Sequence, residues 1–135
     1  MNILSYFKLY ALTVPIFFII DMLWLGVIAR GFYRRQLDFI LSSQVNWTAA
    51  VVFYLVYIAG IIFFAVRPAI DHNSWYQAAL LGALFGFFTY ATYDLTNLAT
   101  IQNWPLVIVA VDILWGVCLC TLVASLSFAV SRWLI

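Results

Sequence analysis

The stretch YQAALLGALFGFFTYATYDLTNLAT, residues 76–100, decides how the whole chain is read. At about 1.5 Å rise per residue it is long enough to cross a hydrocarbon core roughly 30 Å thick, yet it carries a carboxylate in its last third. On a helical wheel of ~100° per residue, Tyr90, Asp94, Asn97, Tyr93, Thr100, Thr89 and Thr96 share less than half the circumference. Leu80, Leu84, Phe87, Phe88, Ala91, Leu95 and Leu98 fill the other side, which is the side that lipid should see. Gly82 and Gly86 form a Gly-x-x-x-Gly pair on the polar face, where a second helix can come close. A homodimer or a heteromeric membrane partner is expected to dock through that Gly82/Gly86 face.

Working outward, three more apolar runs of similar length bring the expected spans to about 8–29, 47–66, 76–100 and 105–131. Trp47, Trp75, Trp104 and Trp133 fall at the ends, where an indole sits with its ring in lipid and its N–H in water. Pro68 and Pro105 also lie at the margins, where a missing backbone donor costs least. The fold class is therefore all-α: an integral membrane bundle of four transmembrane helices, one domain over residues 1–135. Sheet is excluded because an open strand edge in lipid leaves its backbone groups unsatisfied. The first span is too long and aromatic for a secretory h-region and no small-x-small cleavage site follows it, so it reads as an uncleaved anchor.

Composition agrees. Across 135 residues, 67% are hydrophobic, 19% aromatic and only 8% charged. That is far below the quarter or so of charged residues in soluble domains, so the main solvent is the lipid bilayer. A net charge of +1 gives no electrostatic case for nucleic acid. An even span count puts both termini on one face, side A. The 30–46 loop and the 101–104 turn then lie on side B. Lys8, Arg67 and Arg132 on side A balance Arg30, Arg34 and Arg35 on side B, so the positive-inside rule leaves two readings open. One is a fixed orientation set by the arginine cluster or the N-terminus; the other is dual topology with an antiparallel dimer.

Three of the five acidic residues, Asp21, Asp94 and Asp112, lie inside the spans, at roughly 9–12 Å below the side-B boundary. Left ionised and unpaired there, each costs several kcal/mol or more, so each needs a partner, a proton or water. Asp21-Met22-Leu23-Trp24 and Asp112-Ile113-Leu114-Trp115 repeat an Asp-x-Leu-Trp pattern, with Gly26 or Gly116 following. In antiparallel helices this suggests an inverted pseudo-repeat with a site at its interface. The expected ligand- or proton-binding set is Asp21, Asp94, Asp112, Asn97, Tyr90, Tyr93, Trp24 and Trp115. Arg30, Arg34 and Arg35 are expected either to fold down as counter-ions or to bind lipid phosphate. His72, beside Asp71 in a side-A turn, reads as a solvated turn residue. Cys118 and Cys120 point ~200° apart on a helix and read as small apolar fillers. No residue set suggests a metal or a cofactor.

The Asp-x-Leu-Trp-x-Gly of 21–26, the Tyr-Asp-Leu-Thr-Asn of 93–97, Trp104 and the Asp-Ile-Leu-Trp-Gly of 112–116 together resemble a family of small bacterial predicted membrane proteins classed as a domain of unknown function. The likeness covers essentially the whole chain. It implies a four-helix topology and a multi-pass location in the bacterial inner membrane, and it supplies no activity. Three functions stay open on the residues. The first is binding or translocation of a proton or small cation at the aspartate layer. The second is an intramembrane enzyme using an Asp94/Asp112 dyad on a lipid or lipid-linked substrate, similar only in topology to the four-helix lipoprotein signal peptidases. The third is a non-catalytic membrane subunit whose polar groups specify packing.

Overall fold

The structure is a computed structural model and describes residues 1–134. Four long apolar helices run antiparallel in sequence: α1 (Ile3–Ile28), α3 (Trp47–Asp71), α4 (Trp75–Thr100) and α5 (Leu106–Leu134). A short α2 (Phe32–Leu37) stands between the first two. No strand occurs among the described residues. The all-α four-span reading holds, and its errors lie at the helix ends.

Helix α1 begins at Ile3 rather than residue 8, because Asn2 accepts the Ser5 N–H at 2.9 Å and satisfies a donor of the first turn. Its last five residues, Trp24–Ile28, form a π-helical turn. The chain then reverses through Gly31, whose φ of 79° suits a residue without a Cβ. Helix α2 follows inside the expected loop: Leu37 is buried with Trp104, Ile108 and Val109, and Phe32 and Tyr33 pack against the same cluster. Trp104 is thus a correction: only 7% exposed, it roofs the side-B end of α5 instead of lying in an aromatic belt. Trp47, Trp75 and Trp133 are exposed at helix ends as expected.

Helix α3 is capped by Asn46, which accepts the Ala49 N–H at 3.1 Å. It runs five residues beyond the expected end at 66. Pro68 does not stop it, because a π turn at Ile62–Val66 interrupts the α ladder first and the proline falls at the start of the final α segment, where its missing donor is tolerated. The end is held by an Arg67 to Asp71 ion pair at 2.8 Å, with the guanidinium 5.2 Å from the centre of the Tyr6 ring.

The most extensive contact in the bundle is between α4 and α5. A Cβ placed on Gly82 would stand 2.5 Å from the Cys120 carbonyl oxygen, and one on Gly86 would overlap the Gly116 carbonyl. The two backbones therefore touch, as the Gly-x-x-x-Gly pair requires. This corrects the partner expectation: the Gly82/Gly86 face is occupied within the chain by α5 and is not open to a second protein. Helix α1 lies on α5, where Thr13 donates to Ser127 at 3.0 Å in the core. Helix α3 packs mainly through its side-A half, with Ile58, Ile61, Ala65 and Val66 wholly buried. Its side-B half stands off: Val51, Val52, Phe53, Leu55 and Val56 are all exposed. The apolar side of α4 is exposed as expected, except Ala91, which is buried.

Gly86→Leu is expected to destabilise the fold by about 1–3 kcal/mol through overpacking against the α5 backbone. Gly26→Ala, whose added methyl meets nothing within 4 Å, should stay within about 0.5 kcal/mol of wild type. Unfolding of the purified chain in detergent micelles, followed by circular dichroism, measures both.

Candidate functional site

Asp21 lies seven residues before the end of α1, Asp94 six before the end of α4 and Asp112 six after the start of α5. At ~1.5 Å per residue the three carboxyls share one depth, about 9–10 Å inside the side-B ends. Asp112 is the common neighbour of the other two. The crossing of α4 and α5 at the glycines explains part of this. It lays the Tyr90 ring on Gly116, one turn from Asp112, and brings Asp94 to Asp112's other side.

The two Asp-x-Leu-Trp motifs meet. Trp24 and Trp115 stack with centroids 4.5 Å apart and planes 8° from parallel, so the repeated motif is a pair of facing elements across α1 and α5. The Trp24 Nε1 donates to the Tyr33 hydroxyl at 2.9 Å, and that hydroxyl donates to Asp112 Oδ1 at 2.5 Å. Tyr33 stands outside the spans, on α2, and its phenol is held above its ordinary range. Burial is the first cause; the second is the Asp112 carboxylate, which would face a second anion if the phenol ionised.

Other members of the expected set divide. Tyr90 is enclosed and meets Tyr57 edge-on at 6.3 Å. Tyr93 is 57% exposed and stands edge-on to Trp104 at 6.0 Å. Asn97 is half-buried beside Tyr93. Thr96 and Thr100 are exposed and donate back to the carbonyls of Thr92 and Thr96, so part of the polar arc of α4 looks outward after all. Of the two arginine readings, the counter-ion one is corrected: Arg30, Arg34 and Arg35 are exposed, and the ion pair formed among the described residues is Arg67 with Asp71. Folding of residues 32–37 as a helix turns Tyr33 toward Asp112 and leaves the arginines on the outer side.

One of the three aspartates is left without a hydrogen-bond partner. Asp94 is fully buried, and neither of its oxygens closes a hydrogen bond although Asp112 stands beside it. Asp21 is 5% exposed; the Trp115 indole and the Tyr54 phenol are its nearest donors, yet Trp115 Nε1 is itself buried without a hydrogen-bond partner. Two cavities meet at Asp112. One, of about 740 Å³, is a cleft between α3 and α4 lined by Phe53, Tyr57, Phe88, Thr89, Tyr93 and Asp112, open toward the bilayer where α3 stands away. The other, of about 200 Å³, is a small chamber at least as open as the cleft, whose walls include Asp21, Trp24, Tyr33, Tyr54, Asp112 and Trp115. Phe53, Tyr90 and Asp112 line both.

Sequence reasoning missed Tyr33 as a partner, and with it Phe53, Tyr54 and Tyr57 on α3. A signal existed in the three-residue spacing of Tyr54 and Tyr57, which puts both phenols on one helix face. Tyr57 shares a hydrogen bond with Thr89 at 2.8 Å and approaches Cys120 Sγ at 3.2 Å, so Cys120 is a polar contact as well as a filler. No three His, Cys, Asp or Glu side chains converge as a metal-binding set among the described residues.

A family model described as "Predicted membrane protein (DUF2177)" matches residues 6–129, and the chain belongs to that family. No curated protein and no solved structure matches it.

Tyr33→Phe removes the donor to Asp112 and the acceptor of Trp24, and should cost about 1–3 kcal/mol of stability. Because the folded phenol is harder to ionise than a free one, its contribution is complete below about pH 10 and is lost as pH rises beyond that. Unfolding measured between neutral and alkaline pH should show the wild type losing its advantage over Tyr33→Phe in that upper range.

Proposed function

We propose that this member of a family of predicted membrane proteins binds and exchanges a proton or a small cation at the paired carboxyls of Asp94 and Asp112. Asp94 carries the reading: it is fully buried, neither oxygen is bonded, and a second carboxyl stands beside it. Two unneutralised carboxylates in a lipid-surrounded core cost several kcal/mol, and a shared proton or a bound cation removes that cost. A cluster that only holds helices together bonds its own polar groups, and this one leaves Asp94 free to take a ligand. Tyr33 supplies a route to side B, since its helix lies at that surface and its hydroxyl reaches Asp112.

A second reading rests on a separate observation. Tyr33 donates to Asp112 and nothing donates to Asp94, an asymmetry suited to a general base and a general acid. The cleft opens sideways and is lined by Asp112, so a lipid-resident substrate can reach that member of the pair.

Infrared difference spectroscopy on the full chain in proteoliposomes tests the first reading. A protonated-carboxyl band that responds to pH or to cations is expected in wild type. Asp94→Asn should abolish it and lower any proton or cation flux at least tenfold, ~1.4 kcal/mol in the corresponding equilibrium. An unchanged band and flux in Asp94→Asn overturn the reading. Conversion of a reconstituted lipid by wild type, abolished in both Asp94→Asn and Asp112→Asn, would establish the second reading instead.

A further inference from the structure

We infer that the chamber beneath the Trp24 and Trp115 stack is a binding site for the ammonium headgroup of a single-chain, monocationic amphiphile, whose apolar tail lies in the adjoining cleft between α3 and α4. The inference goes beyond the carboxyl-pair reading above: it shares Asp112 with that reading but turns on a different carboxyl, Asp21.

The chemistry of the walls selects the headgroup. Asp21 and Asp112 give the chamber two carboxyls, while Trp24, Trp115, Tyr33 and Tyr54 give it aromatic surface. None of the side-B arginines is ion-paired with either carboxyl, so the negative charge is not neutralised from within the chain. Ring faces and carboxylates together are the setting in which proteins hold alkylammonium groups: the ring quadrupole attracts a diffuse cation, which gives up little hydration to enter. A small hard cation would lose its water here and gain few oxygen ligands in return. An anionic headgroup would be repelled by both carboxylates, and a neutral one would leave them without a counter-charge.

Asp21 supplies the independent observation. It is more than nine-tenths buried and lines the chamber, with the Trp115 indole and the Tyr54 phenol beside its carboxyl and no cationic side chain paired with it. A carboxyl buried in this way ordinarily has a cationic partner, so one without it on a cavity wall marks a place where a ligand supplies the charge.

The tail follows from continuity. Phe53, Tyr90 and Asp112 border both cavities, so a headgroup between Asp21 and Asp112 has its chain directed past Phe53 into the larger cleft. That cleft is almost wholly apolar in its lining, with Phe53, Tyr57 and Phe88 as its main walls, and its mouth faces the bilayer because the side-B half of α3 is unpacked. Entry is thus lateral, from the side-B leaflet. A phospholipid brings a phosphate with its ammonium, next to two carboxylates, which excludes it as the occupant.

The test uses the full-length chain in phosphatidylcholine nanodiscs, titrated with dodecyltrimethylammonium against empty nanodiscs. One saturable site per chain is expected. Tetramethylammonium, which lacks the tail, and the neutral tert-butyl-headed isostere, which lacks the charge, should each bind at least tenfold more weakly. Asp21→Asn should weaken the dodecyl compound at least tenfold, and Phe53→Ala should weaken it while leaving tetramethylammonium unchanged. Should Asp21→Asn fail to fold, the ligand series on wild type decides alone. Absence of a saturable site, or equal binding of the neutral isostere, overturns the inference. If that happens while the Asp94-dependent infrared band persists, the carboxyl-pair reading survives. Saturable ammonium binding without that band overturns the carboxyl-pair reading and leaves this site standing.

Discussion

The backbone contact between α4 and α5 governs the arrangement of everything near side B. At Gly82 and Gly86 the absent side chains let the two helices approach until the carbonyls of Cys120 and Gly116 fill the space a Cβ would need. In lipid such an approach is one of the few sources of helix association, since burying leucine against leucine gains little over leucine against acyl chain. Its consequence is positional. With Gly86 opposite Gly116, the antiparallel run carries Tyr90 over Gly116 and puts Asp94 and Asp112 side by side at one depth. A wider crossing would separate those carboxyls and let each find its own partner or its own water.

The second determinant is the uneven packing of α3. Its side-A half is locked into the core by Ile58, Ile61, Ala65 and Val66, and near its far end Arg67 lies over the Tyr6 ring of α1. Its side-B half is held on the α1 side, where aromatic contacts join Phe17 and Phe18 to Tyr54, and reaches α4 through Tyr57 near mid-helix. That leaves the wedge which becomes the cleft. A bundle packed evenly along its length would have sealed the aspartates in. The π turns at Trp24–Ile28 and Ile62–Val66 fall at the site on α1 and before Pro68 on α3, a common location for such turns.

Much of this was legible in the residues. Hydropathy over about twenty residues reports a bilayer crossing directly, because length and apolarity are what the bilayer selects. The boundaries at 3 and 71 were missed because a cap such as Asn2 and a π turn before Pro68 override the hydropathy signal by local hydrogen bonding. The Asp-x-Leu-Trp repeat was legible too, and the ring-to-ring meeting of Trp24 and Trp115 is its spatial form. The counter-ion reading of the arginines failed because nearness in sequence to a carboxylate does not aim a side chain at it. A side chain's direction depends on the backbone that carries it, and α2 points Tyr33 inward.

By itself, the sequence determined that the chain lies in a membrane as four helices and that three aspartates share one depth. Both follow from quantities that are linear along the chain, the rise per residue and the cost of charge in lipid. Only the tertiary structure decided which carboxyls are neighbours, that Tyr33 answers Asp112, and that the Gly82/Gly86 face is used within the chain. It also decided that the layer opens sideways into an apolar cleft. These depend on crossing points and on the unequal packing of α3, which arise from contacts between residues far apart in sequence and leave no periodic trace within any single helix.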